Sequence, residues 1–300
     1  MAERHEQSFE AAGHASVRVE IPAGVLAVET WPEPRVEVEV APARGDERSA
    51  AAAAETRIST TERAGRREVV VRAPKREGKL GISWGRGPEL AVRVRCPEGT
   101  DVELAAQSAD LEAQGALGAV SVRSASGDAT LQDAASLSFA TASGDLSAGS
   151  IGGDVTAKSA SGDVDVRAVG GAGSVNTVSG DVRIGSTGDM LAVRTVSGDV
   201  DVEAAAAGVV IGSVSGDVEL GGHCPAHGLR VDPQHETGHR ADLHVAGDGA
   251  DHDPCRGSLD VDVARHRPDR ERVAGRADPD VARDRVDRPG AAHRTHVHVA

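Results

Sequence analysis

Between Gly99 and Leu220 the apolar positions of the chain recur in step with a Ser-Gly-Asp triplet that begins at Ser126, Ser143, Ser161, Ser179, Ser197 and Ser215. Two residues past each glycine stand Ala129, Leu146, Val164, Val182, Val200 and Val218, and four past it Leu131, Ala148, Val166, Ile184, Val202 and Leu220. The positions between them are polar (Thr130, Ser147, Asp165, Arg183, Asp201, Glu219), so each copy reads as a short strand with one buried face. A second strand precedes each glycine. Its inward columns are Val120, Leu137, Val155, Gly173, Leu191 and Val209, then Val122, Phe139, Ala157, Val175, Val193 and Ile211. The column Ser124, Thr141, Ser159, Thr177, Thr195 and Ser213 is assigned outward together with the triplet serines, as solvated hydroxyl ladders.

The triplet aspartates are 17, 18, 18, 18 and 18 residues apart, and Ser108-Ala109-Asp110 extends the series backwards by 18. A hairpin meander does not require the same corner chemistry at a fixed period, whereas a stacked-repeat fold does, because each coil packs on a copy of itself. The pattern therefore predicts an all-β protein, a β-solenoid with two strands per coil of about 18 residues, right-handed by the crossover preference of parallel strands. The triplet is one corner of each coil. Glycine supplies conformational freedom there, and Ser and Asp are expected to bond nearby amides in a local turn.

Four segments follow. Residues 1–14 are expected to be a flexible start. Residues 15–98 form an N-terminal β region that caps the solenoid, with strands at Val17–Ile21, Val25–Val28, Val36–Val40, Glu68–Val71 and Leu90–Val94, and one short helix over Asp46–Thr56 opened by Asp46. Gly78–Pro88 is a glycine-rich connection without the Gly-Lys-Ser/Thr ending of a phosphate cradle. Residues 99–222 are the repeats. Residues 223–300 change language: they hold 10 of the 12 histidines, lack Ile, Phe, Trp, Met, Lys and Asn, and keep neither period. They read as a disordered low-complexity tail, of the kind a GC-rich gene yields when translated out of frame past Gly222.

Composition narrows the function. Aromatic residues make up 1% of the 300 residues, so a core must be built from closely stacked small aliphatic side chains, and a ligand pocket lined by large ones is not expected. A net charge of −14 argues against nucleic acid. No stretch reaches the length of a membrane span. The polar Met1–Gly13 segment does not resemble a signal peptide, so the expected location is cytoplasmic, with the cell surface by an unrecognised route as the alternative. Cys96, Cys224 and Cys255 form no disulfide framework.

The strand pattern Val17–Val40, the step Leu90-Ala91-Val92-Arg93-Val94-Arg95-Cys96-Pro97-Glu98-Gly99-Thr100 and the Ser-Gly-Asp-Val coils together resemble the DUF4097 adhesin-type family common in actinobacteria, over about Ser16–Leu220. The resemblance implies a β-solenoid head domain, roles in adhesion or envelope-stress signalling, and no catalytic residues to carry over.

Several motifs invite sharper readings. His235-Glu236-Thr237-Gly238-His239 matches the zinc-protease pattern, but Pro233 and Gly238 weaken the helix it needs and no third ligand follows. Gly-Asp corners, including Gly153-Asp154 and Gly188-Asp189, evoke calcium β-rolls, yet those separate the aspartate from the preceding glycine, whereas here it follows glycine directly. Arg44-Gly45-Asp46 spells an integrin tripeptide in a chain rich in all three residues. No catalytic residue, metal ligand or cofactor is therefore assigned. The expected function is a noncatalytic structural or interaction module binding an unidentified protein or surface polymer. The rivals are an envelope-stress signalling component acting through protein partners and a polysaccharide-processing β-helix enzyme. The latter needs convergent charged residues and aromatic platforms that the outward columns do not supply.

Overall fold

The computed structural model describes residues 5–11, 15–63, 66–74, 87–221, 230–231 and 243–245. Their elements, in chain order, are β1 (His5–Glu10), β2 (Ala15–Trp31), β3 (Arg35–Pro42), α1 (Glu47–Glu55), β4 (Arg57–Arg63), β5 (Arg66–Arg72), β6 (Leu90–Pro97), β7 (Asp101–Arg123) and β8 (Ala129–Ala140). There follow β9 (Leu146–Ile151), β10 (Val155–Ser161), β11 (Val164–Val169), β12 (Gly173–Ser179), β13 (Val182–Thr187), β14 (Leu191–Ser197), β15 (Val200–Ala205), β16 (Val209–Ser215), β17 (Val218–Leu220), β18 (Arg230–Val231) and β19 (Leu243–Val245).

From β9 onward each strand pairs with the strand two places further along the sequence, parallel and one coil apart. Val164 lies between Leu146 and Val182, and Val182 in turn between Val164 and Val200, along the stack β9-β11-β13-β15-β17. The alternate strands build a second stack, β8-β10-β12-β14-β16, with Val155 beside Leu137 and Gly173. The first step, β8 to β9, is 17 residues, and the steps that follow it are 18, matching the aspartate spacing. Val, Leu, Ile and Ala from the inward columns of both stacks merge into one buried cluster that runs the length of the described chain. The predicted β-solenoid is thus the observed fold, and its thin aliphatic core explains how a chain so poor in aromatics folds.

The N-terminal region does cap this stack. β2 is itself one coil. Its first half, Ala15–Glu20, lies on β5 on one side and on the start of β7 on the other; its second half, from Gly24, lies between β6 and the middle of β7. Beyond β5 and β6 the pairing turns antiparallel, with β4 on β5, β3 on β6 and β1 on β3. The parallel stack thereby ends in antiparallel pairs. α1 buries Ser49, Ala52 and Ala53 beside β3 and β6, small residues that let a helix approach strands closely. Asp46 opens it as expected, accepting from the Ser49 amide at 2.6 Å.

Three expectations change. Within the start expected to be flexible, His5–Glu10 forms a strand, because the antiparallel edge of β3 offers Val36 to Val40 as partners for Phe9 to His5. The two strands read at Val17–Ile21 and Val25–Val28 are one strand that turns a corner without a break. Within the tail expected to lack packed structure, Arg230–Val231 pairs parallel with β16 and Leu243–Val245 with β17. The open edges of β16 and β17 present unpaired backbone groups, and Leu243-His244-Val245 keeps the apolar-polar-apolar reading that such an edge accepts. The zinc-protease match, Cys224, Cys255 and most of the Gly78–Pro88 connection lie outside the described residues, as does the rest of the tail with its out-of-frame reading.

Candidate functional site

Among the described residues the Ser-Gly-Asp corners form the most regular exposed feature. Glycine is required there for two reasons. Gly127, Gly162, Gly180, Gly198 and Gly216 have φ between 127° and 150°, a region that other residues rarely enter. A Cβ at Gly180 would also overlap the carbonyl oxygen of Gly162 one coil back, and Gly198 stands in the same relation to Gly180. The glycine amides then donate to the serine carbonyl of the following coil, as from Gly162 to Ser179 at 3.1 Å and from Gly180 to Ser197 at 3.1 Å.

The aspartates do not make the local turn expected of them. The carboxylates from Asp128 to Asp199 reach along the stack instead: the Asp145 amide donates to Asp128 Oδ1 at 2.9 Å, Asp163 to Asp145 at 2.9 Å, Asp181 to Asp163 at 2.8 Å, Asp199 to Asp181 at 2.9 Å and Asp217 to Asp199 at 2.8 Å. Asp110 starts the series by accepting from the Asp128 amide at 3.0 Å. The carboxylate thus replaces a strand hydrogen bond where the backbone is bending and the ladder lapses. On the opposite edge Asp154 does the same for the Ala172 amide at 2.9 Å, while Asp189 accepts from its neighbour Met190 at 2.7 Å. The calcium-roll reading therefore meets carboxylates that already have one oxygen committed to backbone. Among the described residues no three His, Cys, Asp or Glu side chains are grouped to hold a metal.

The triplet serines stand beside this row, exposed as far as Ser197 and half-buried at Ser215, paired Cα to Cα from Ser108 to Ser126, Ser143, Ser161, Ser179, Ser197 and Ser215. The other hydroxyl column is placed differently from its expectation. Ser159, Thr177, Thr195 and Ser213 are 4–7% exposed and face the core. The reason is parity: three, five and seven residues before the glycine are positions on one face of a strand, so the column had to follow Val175 and Gly173 inward. The outward face belongs to the positions two and four before the glycine. There Val178 and Val196 are 53% and 48% exposed, and Lys158, Asn176 and Arg194 alternate beside them. Sequence reasoning passed over this face; the period-2 rule alone would have marked Val178 and Val196 as exposed apolar residues.

Several other charges are paired within the fold. Arg18 sits 2.7 Å from Glu103 and 3.3 Å from Glu68, and Arg183 lies 3.8 Å from Asp165 and 3.7 Å from Asp201 on neighbouring coils. In the Arg44-Gly45-Asp46 tripeptide the arginine is 2.7 Å from Glu89 and the aspartate is the helix cap, its carboxyl held below the usual range by the Ser49 amide. Both charged groups thus serve the local fold. Cys96 is fully buried, and burial pushes its thiol up to about 11, against an opposing hydrogen bond from Thr100. No described helix is long and apolar enough to cross a membrane.

None of the curated proteins matches the chain. Solved structures with a similar trace include a "putative adhesin" from Bacteroides fragilis NCTC 9343, at 9% identity over 78% of this chain and 91% of the other, with a TM-score of 0.38. A "putative adhesin" from Parabacteroides distasonis ATCC 8503 is 12% identical over 83% and 95%, with a TM-score of 0.36. A "putative lipid binding protein" from the same organism is 11% identical over 82% and 95%, with a TM-score of 0.27. The family model described as Toastrack DUF4097 matches residues 35–242, which takes in everything from β3 to the last coils, and the chain belongs to that family.

Proposed function

We propose that this protein is a noncatalytic interaction module that presents a periodic surface to a partner which is itself periodic, a polymer of the cell surface or a repetitive protein. The observation that supports this reading is the fixed spacing of unlike exposed columns along one side. Hydroxyls (Ser161, Ser179, Ser197), carboxylates (Asp163, Asp181, Asp199) and apolar groups (Val178, Val196) each recur once per coil, about 4.8 Å apart. A convergent catalytic constellation needs side chains of different coils to meet at a point, whereas in-register stacking keeps equal side chains on parallel lines. A repeating ligand meets such a surface with many weak equal contacts, so binding is governed by the number of coils engaged.

The test is an array of envelope polysaccharides and glycans probed with the full chain and with the Val178→Asp/Val196→Asp variant. Both positions are solvent-facing, so the variant is expected to keep the native melting curve. The expected result is retention of one or more polymers by the native chain and their loss from the variant. Absence of any retained polymer, together with recovery of one defined globular partner from cell extract, would overturn the reading in favour of the signalling role. Fractionation of intact cells decides whether the partner is met in the cytoplasm or at the surface.

A further inference from the structure

Among the described residues the inward hydroxyl column is the one continuous row of polar side chains in the core, and from Thr141 to Ser213 its oxygens have no partners in the protein. Thr141 Oγ1, Ser159 Oγ, Thr177 Oγ1, Thr195 Oγ1 and Ser213 Oγ are each buried from solvent without a protein hydrogen bond. They occupy successive coils in register, Ser159 beside Thr177 and Thr195 beside Ser213. The preceding coil shows what such a hydroxyl does when a carbonyl is at hand. Ser124 Oγ donates to the carbonyl of Ser126, two residues on, at 2.8 Å. In the five later coils the corresponding carbonyls, of Ser143, Ser161, Ser179, Ser197 and Ser215, accept the glycine amides of the corners, and the hydroxyls make no bond to them. The hydroxyls thus stand in register along the stack, one to a coil.

We propose that this column binds a file of water molecules, one between each successive pair of hydroxyls from Thr141 to Ser213. Neighbouring rungs lie about 4.8 Å apart, too far for a direct bond between hydroxyls. A water about 2.8 Å from both oxygens fits between them, displaced about 1.4 Å from the line that joins them. Each hydroxyl can donate to the water on one side and accept from the water on the other. Four waters thus complete the five groups in a single directional chain, which satisfies the general rule that buried polar atoms are bonded to protein or to ordered water. Along the column the order is Thr, Ser, Thr, Thr, Ser, so Ser159 and Ser213 leave the space of a methyl group on either side of the threonine pair Thr177 and Thr195. The result is a hydrated seam inside an otherwise aliphatic core, directly beneath the Ser-Gly-Asp ridge. It ties adjacent coils by bonds that form only when the hydroxyls are in register.

The experiment is a crystal structure of the full chain at atomic resolution, paired with thermal melting of Thr177→Val, a change of nearly constant shape that should fold. The expected map has density bridging successive hydroxyls from residue 141 to residue 213, and the variant is expected to melt at a lower temperature because two waters lose a partner. A seam without ordered density, or hydroxyls rotated onto protein carbonyls, overturns the proposal. So does a Thr177→Val variant that melts at the native temperature or above it, the behaviour of a dry and unsatisfied hydroxyl being removed.

Discussion

At the scale of the residue, the corner glycine and the corner aspartate have distinct and separable duties. Gly180 combines a φ of 148° with a neighbouring carbonyl where its Cβ would stand, so Gly180→Ala is expected to lower stability by about 1–3 kcal/mol or more. Gly45, with open space around its Cα, supplies the contrast: Gly45→Ala should be neutral or slightly stabilising through the unfolded chain. Denaturant melts of the two variants check the pair. Cys96 sets a pH dependence. Its folded pKa of about 11 lies above the ordinary thiol value, so its contribution to stability is fully present below about pH 9 and is lost as pH rises toward 11. Stability measured across that window should fall in the native protein and fall less in Cys96→Ala. These duties were only half legible in the sequence. A glycine at a fixed period announces a bend, but the partner of the aspartate is 18 residues away, and nothing in a single triplet distinguishes a local turn from a bond to the next coil.

At the scale of the element, a strand here is stable only as a member of a stack. Val182 is buried between Val164 and Val200 with one neighbour on each side and no polar group to receive a charge. Val182→Asp is therefore expected to unfold the repeats rather than to loosen them, and loss of the cooperative melt by circular dichroism checks this. The strands of the repeats were readable because their alternation is strict and repeated. β1 and β4 were not, because each carries a single large apolar residue, Phe9 and Ile58, too few to show an alternation, and they are strands by virtue of the edges β3 and β5 offer them. The hydroxyl column differs for another reason: polarity points Ser and Thr outward, while strand parity, the stronger constraint, carries them into the core.

At the scale of the molecule, the fold behaves as a one-dimensional stack with a finished end, where β1, β3 and β4 turn the pairing antiparallel and α1 packs into the core. Coils should then be interchangeable. Removing residues 164–181 joins Asp163 to Val182 and restores Ser-Gly-Asp-Val, so the shortened protein is expected to melt cooperatively at a somewhat lower temperature. Removing 164–172 alone would set one stack's strand upon the other's and should abolish folding. The period made this architecture legible from sequence, whereas the partner was not, since a surface of repeated small residues carries little information about what it meets.

Disulfide formation between single-coil neighbours reads the stacking itself. With the three native cysteines replaced, Ser161→Cys/Ser179→Cys joins exposed Cα partners of adjacent strands, about 5 Å apart and within the range a disulfide spans. Ser161→Cys/Ser197→Cys separates them by two rungs, roughly 9.6 Å. Mild oxidation of the folded protein should consume both thiols in the first pair and leave both free in the second. Equal reactivity of the two pairs, or closure of the second in preference to the first, would contradict parallel stacking at eighteen residues.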